Sequence, residues 1–227
     1  LPRAGSTLIE QILSSHSQVE GTMELPDIPV LVSEASKGAG YPHALKKLDA
    51  ARLRELGEAY LSRTRLQRRE GKPYFIDKLP NNWQHIGFIH MILPNAKIID
   101  ARRHPLDCGY SNFRQHYARG QAFSYDLEDI GHFYANYMRQ MAHIDQVLPG
   151  RVYRVIHEHL LDDPEGETRR LLDALGLPFE ESCLRFHENR RAVRTASSEQ
   201  VRRPINRDGA GQWQPVSEQL KPLTDAL

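Results

Sequence analysis

Pro2-Arg3-Ala4-Gly5-Ser6-Thr7 runs directly into an apolar helical pattern at Leu8, Ile9, Ile12 and Leu13. Small residues ahead of a helix let backbone N–H groups approach an oxyanion, and the helix N-terminus adds partial positive charge. Arg3 supplies a full charge beside Gly5, while Ser6 and Thr7 supply hydroxyl donors, so the segment can cradle an anion. The alternative is a plain helix entry with Ser6 as N-cap and nothing bound. No GxxxxGK(S/T) occurs here, so a nucleoside triphosphatase would lack its main phosphate lysine. Lys78 closes the apolar run Phe75-Ile76-Asp77-Lys78, at a strand edge of the kind that carries α/β ligand sites; Asp77 could pair with it or cap the next helix. His157-Glu158-His159 on an extended strand could turn two imidazoles toward zinc. Asp100 at a strand end could hold magnesium in a P-loop kinase, against which the missing lysine counts. Cys108 has no recognisable base beside it and reads as apolar filler in a helix.

Short apolar runs at 73–77, 97–101 and 151–155 predict strands. Leucines from Leu45 to Leu61 predict a helix over roughly 44–68. Further helices follow through Ile86–Ile92, from Pro105, along the apolar stripe Leu127–Leu148, and from Pro164 to the stop at Gly176. Residues 18–43, with three prolines, read as loop with short helical pieces. Strands alternating with helices predict an α/β fold with a largely parallel sheet, and no linker divides residues 1–227, so one domain is expected.

The chain has 227 residues, 40% hydrophobic and 26% charged, ordinary for a globular protein with a substantial core. Thirty Lys+Arg against 29 Asp+Glu give a net charge of +1, which excludes a polybasic nucleic-acid surface as the dominant character. No run approaches the ~20 apolar residues of a membrane span. Two distant cysteines, Cys108 and Cys183, argue against a disulfide scaffold and for a reducing, cytoplasmic setting. With no initiator Met and a motif at the first residues, the natural N-terminus is expected upstream and targeting is not readable.

PRAGSTLIEQIL resembles the 5′-phosphosulfate loop, PRSGTT or PKSGTT, of sulfotransferases that use 3′-phosphoadenosine-5′-phosphosulfate. Ala101-Arg102-Arg103-His104-Pro105, with Ser111 eight residues after Arg103, is similar to the 3′-phosphate motif of these families. Gln200-Val201-Arg202-Arg203-Pro204-Ile205-Asn206 resembles the QVIKPVN segment of tyrosylprotein sulfotransferases, and Gly211-Gln212-Trp213 the G-x-W of the final cofactor loop. The whole pattern is most similar to bacterial sulfotransferase domains that follow tetratricopeptide repeats, which would lie upstream.

The resemblance implies a P-loop-like central parallel sheet flanked by helices, with its first strand, ahead of Leu1, truncated. It implies the phosphosulfate nucleotide as donor, the bisphosphate nucleotide as product, an acceptor hydroxyl and no metal. Glu24, which follows Arg3 by 21 residues as in tyrosylprotein sulfotransferases, takes the general-base role; a solvated loop glutamate is the alternative. Arg3 and Lys78 stabilise the transferring group, although the best-known lysine of those enzymes falls where this chain has Gln84. Gly5, Ser6 and Thr7 join Arg3 around the 5′ end, and Arg103 with Ser111 clamps the 3′-phosphate. Arg207, Arg203 and Gly211 close the site from the last loop, where NRDGAGQW departs from the family's RKGxxGDWK. His157 replaces an aromatic near the adenine. The acceptor could be a protein tyrosine, a glycan or a small molecule; Leu25-Pro26-Asp27-Ile28 after Glu24 carries no arginine, against an acidic peptide. A non-catalytic nucleotide-binding module would dispense with Glu24 and Lys78.

Overall fold

The computed structural model describes residues 1–227 apart from 37–39, 119, 194 and 196. Helix α1 (Ser6–Ser14) starts at Gly5, whose φ of 95° is left-handed and whose position as N-cap leaves no side chain on the first turn. The alternative in which Ser6 caps this helix does not hold: Ser6 is its first helical residue, and its first-turn N–H groups have no side-chain acceptor among the described residues. A short strand, β1 (Val19–Gly21), and helix α2 (Asp27–Ala35) then occupy the stretch expected to be mostly loop. Helix α3 (Ala50–Thr64) is shorter than its apolar periodicity predicts, because Asp49 caps it by accepting the Arg52 N–H at 2.8 Å; residues 43–47 form a separate 3-10 turn.

Strand β2 (Tyr74–Ile76) leads through a 3-10 turn into α4 (Ile86–Ile92), and β3 (Ile98–Arg102) into α5 (Pro105–Phe113), with proline on its first turn. The long helix α6 (Leu127–Val147) buries the predicted stripe of Ile130, Tyr134, Tyr137, Met141 and Ile144, and Asp126 caps it through the Glu128 and Asp129 amides. Strand β4 (Val152–Ile156) runs straight into α7 (His157–Asp162), followed by α8 (Pro164–Leu175), which stops at left-handed Gly176 as expected. The C-terminal segment returns across the molecule and ends in α9 (Lys221–Asp225), packed on α6.

All described pairings are parallel: Val19 to Gly21 of β1 opposite Tyr74 to Ile76 of β2, and Ile98 to Arg102 of β3 opposite Val152 to Ile156 of β4. These are two separate two-stranded ladders rather than one continuous sheet. The facing edges of β2 and β3 are held apart by a cavity of about 1070 Å³ walled by Leu13, Phe75, Ile76, Ile98, Ile99 and Tyr137. One apolar core joins α1, β4 and α8, another α2, α3 and α4, and a third lies under α6 around Tyr137. Parallel ladders covered by helices on both faces aim their C-terminal ends, and the loops that follow, toward α1 and the returning C-terminal segment.

Candidate functional site

The loop before α1 is held from below by α5. Asn112 Nδ2 donates to the Pro2 carbonyl at 3.0 Å, and Cys108 Sγ to the same oxygen at 3.3 Å. Burial pushes the Cys108 thiol above its ordinary range, so this cysteine fastens the loop and offers no thiolate. Held in this way, Arg3 adopts a left-handed φ of 64° and its guanidinium reaches over the start of α1.

Arg3 Nε donates to Ser111 Oγ at 2.9 Å, Nη1 to Ser197 Oγ at 2.6 Å, and Nη2 to Gln200 Oε1 at 3.4 Å. Among the described residues it makes no ion pair with a carboxylate, and burial lowers its pKa from the usual arginine value. A largely buried cation satisfied only by neutral groups is an electrostatic vacancy for an anion. Arg103 lies against it: Nη1 donates to the Arg3 carbonyl at 3.1 Å and Nη2 to the Gly209 carbonyl, while Nε is buried without a partner among the described residues. Its nearest carboxylate oxygen, Asp107 Oδ1, is 3.8 Å away.

Arg3, Gly5, Thr7, Arg103, Ser111, His157 and Arg203 share the wall of one cavity of about 420 Å³, closed on the other side by Ser197, Gln200 and Asn206. His157 sits against the loop so closely that a Cβ on Gly5 would come within 2.8 Å of its Nδ1. Burial, reinforced by the Arg103 charge, lowers its pKa to about 4, so the ring is neutral at physiological pH. Rather than lying on an extended strand, His157-Glu158-His159 form the first turn of α7, and Glu158 Oε1 accepts the His104 N–H at 3.0 Å.

Glu24 and Lys78 meet at the ends of β1 and β2, where Lys78 Nζ contacts Glu24 Oε1 at 2.5 Å. Lys78 is 7% exposed and Glu24 41%, so only the carboxylate is open to an incoming molecule. Lys78 stands two residues past β2 rather than closing the strand. The Tyr117 hydroxyl donates to Asn112 Oδ1 at 2.6 Å, and burial raises its pKa above the ordinary tyrosine value.

Several sequence expectations shift. Ser111 accepts from Arg3, and no hydrogen bond joins it to Arg103 among the described residues. Ser6 lines the larger cavity between the ladders and not the basic one. Arg207 is exposed and paired with Asp162 and is not on the wall of the basic cavity, although Asn206 and Asp208 on either side of it are; the last loop presents the Gly209 carbonyl to Arg103, while Gly211 donates its N–H to Asp107 Oδ2 at 2.9 Å. Arg203 stays at the cavity but is exposed and pairs with Asp208 at 2.9 Å. Asp100 is unsuited to magnesium: Tyr137 donates to Oδ1, while Arg102 and Arg154 hold Oδ2 at 2.8 and 3.3 Å.

Ser197 and Gln200, which hold Arg3, and Thr195, whose hydroxyl lies 3.2 Å from that of Thr7, escape the sequence reading. The only signal was the cluster Thr195, Ser197 and Ser198 just ahead of Gln200-Val201-Arg202-Arg203.

Parallel strands flanked by helices, with a basic loop at the N-terminus of the first helix, place the chain in the α/β class. Residues 1–181 match the family model described as the sulfotransferase family, and the chain belongs to that family. It is 35% identical over 238 residues to an uncharacterized protein of Aquifex aeolicus (strain VF5), matching along its whole length but spanning 31% of that relative. The sulfotransferase domain from the curacin biosynthetic pathway has a similar fold, with a TM-score of 0.67 and 18% identity over 100% of this chain and 95% of that one. So does the sulfotransferase domain from the Synechococcus PCC 7002 olefin synthase, at 0.65 and 20% over 100% and 92%. No helix among the described residues is long and apolar enough to cross a membrane.

Proposed function

We propose that this single domain moves a sulfonyl group from 3′-phosphoadenosine-5′-phosphosulfate to an acceptor hydroxyl. The observation that carries the reading is the pairing of Arg3 and Arg103 on one cavity at the uncapped start of α1, with Arg3 unopposed by any carboxylate among the described residues. A donor with negative charge at both its 5′ and 3′ ends suits two arginines on one cavity, the guanidinium of Arg103 bonded to the backbone carbonyl of Arg3. The partnerless Arg103 Nε is a buried donor for which a phosphate oxygen is the natural acceptor.

In this reading the α1 N-terminus, Gly5, Thr7 and Arg3 take the 5′-phosphosulfate, and Arg103 the 3′-phosphate, with Ser111 setting the Arg3 fork. Neutral His157 offers a ring face beside the loop rather than a further charge. Glu24 removes the acceptor proton as the acceptor oxygen bonds to sulfur. The bond from sulfur to the bridging oxygen breaks, and its electron pair stays on the 5′-phosphate of the departing bisphosphate. Lys78, beside Glu24, and Arg3 offset the charge that develops there. The side chains supply base, cations and anchors, so the reading needs no metal, and the acceptor reaches the site past Glu24. Arg203 at the rim is available to the 3′ end, whereas Arg207 and Gly211 drop out of the proposed contacts.

A thermal-shift comparison tests this. At 100 times its dissociation constant, 3′-phosphoadenosine-5′-phosphate should stabilise the folded chain by ~2.7 kcal/mol. Adenosine triphosphate with magnesium at the same concentration should give a much smaller shift. The reverse order would reject a bisphosphate site and favour a kinase.

A further inference from the structure

Arg191 lies outside the basic cavity and beneath the Glu24 loop, and none of the chemistry above uses it. Its side chain is 12% exposed, and each of its three nitrogens is engaged by a different group. Nε donates to Gln11 Oε1 at 2.6 Å and Nη1 to the Thr22 carbonyl at 3.2 Å, while Nη2 pairs with Glu10 Oε1 at 2.6 Å. Glu10 is 2% exposed on the inner face of α1, and it feels Lys78 and Glu24 as well as Arg191. A carboxylate so deeply buried needs a cation in contact.

The guanidinium crosses the end of β1 so closely that a Cβ on Gly21 would lie 2.7 Å from its Cζ and would push it aside. Thr22, next in the chain, is pinned twice: its carbonyl by Arg191, and its hydroxyl by the Ile76 carbonyl at 2.5 Å. Ile76 ends β2 two residues before Lys78, and Thr22 stands two residues before Glu24. On its other side Arg191 belongs to the segment that carries Ser197 and Gln200. That segment is stapled to α1 by Asn189 Nδ2 on the Ser14 carbonyl at 3.2 Å, and to itself by Arg202 on the Arg191 carbonyl at 2.6 Å.

We infer that Arg191 is a positioning residue: its three-pronged contact sets the Glu24–Lys78 pair at a fixed distance from the Arg3 cradle. The cradle helix, the acid-bearing loop and the segment that orients Arg3 all meet at this one guanidinium. In its role for transfer the inference rests on the proposed function; in its structural content it does not. A planar fork donates to Gln11 and to the Thr22 carbonyl while holding Nη2 in an ion pair 2.6 Å from Glu10 Oε1, which a lysine ammonium on a flexible stem cannot do from the same backbone position.

The test compares wild type with Arg191→Lys, which keeps a cation for Glu10, and with the charge-neutral double variant Glu10→Gln/Arg191→Gln, which leaves no unpaired buried charge. The first readout is amide hydrogen exchange of residues 22–26, independent of any activity. Both variants should exchange there at least about tenfold faster than wild type, with exchange in α6 unchanged. The second is sulfonyl transfer per folded molecule, where kcat should fall at least about tenfold while bisphosphate affinity stays within about threefold. Protection of 22–26 equal to wild type in Arg191→Lys would overturn the inference, since neutralising Glu10 would then be all that Arg191 does. A lowered melting temperature with undiminished kcat would overturn it as well. If wild type transfers no sulfonyl group, the proposed function falls while the exchange result still decides the clamp.

Discussion

Replacing Glu24 with Gln should lower kcat for sulfonyl transfer by about 10²–10⁴-fold, the range that a positioned general base contributes. The amide keeps an oxygen for the buried Lys78 ammonium, which now contacts the carboxylate at 2.5 Å, so the loop should hold its place. What the substitution removes is the ability to accept a proton. Affinity for the bisphosphate product should stay within about threefold of wild type, because Glu24 stands at the ends of β1 and β2 and not on the wall of the basic cavity. Equilibrium titration of the bisphosphate alongside initial-rate measurements separates the two effects. A loss of nucleotide affinity as large as the loss of rate would put Glu24 in the nucleotide site and remove it as the base.

Replacing Arg103 with Ala should weaken 3′-phosphoadenosine-5′-phosphate by about 10–100-fold, corresponding to ~1.5–3 kcal/mol for hydrogen bonds to a charged group. Adenosine-5′-phosphate, which lacks the 3′ charge, should lose much less. The contrast between the two ligands matters because Arg103 also braces the loop through the Arg3 carbonyl at 3.1 Å, and a loosened loop would weaken both equally. Isothermal titration with both nucleotides on both proteins decides the matter, and equal weakening would reassign Arg103 to holding the loop.

The anion loop was legible because its ingredients are contiguous: small residues, one arginine and a helix start within seven positions. Ser111 could be placed on α5 from its spacing to Arg103, yet its partner could not. The chain has to fold before Arg3, 108 positions earlier, is seen to reach the same hydroxyl. Ser197 escaped for the same reason, and Gln200, on a 3-10 turn within the quoted Gln200–Asn206 segment, gave no sign of its Arg3 partner. Strand β1 was hidden by its own composition, since Val19-Glu20-Gly21 places a charge in the middle of three residues. In the structure Glu20 is buried, accepts the Glu70 N–H at 2.7 Å and lies 3.7 Å from the Arg68 guanidinium, so tertiary partners override the apparent polarity. Arg207, a basic residue at the matching place in the chain, pairs with Asp162, a partner 45 positions away that no local pattern announces. The strands at 98–102 and 152–156 came within a residue of expectation because each opens on consecutive apolar or aromatic residues, Ile98-Ile99 and Val152-Tyr153. That they do not join β1 and β2 in one sheet is a matter of the third dimension, and a cavity lined by both β2 and β3 lies between the ladders.

A crystal structure of the chain with 3′-phosphoadenosine-5′-phosphate bound tests the central claim most directly. It should place the 5′-phosphate on the first-turn amides of α1 within hydrogen-bonding distance of Arg3, and the 3′-phosphate on Arg103, with the nucleotide inside the basic cavity. A nucleotide seated elsewhere, or one whose phosphates contact neither guanidinium, would contradict it.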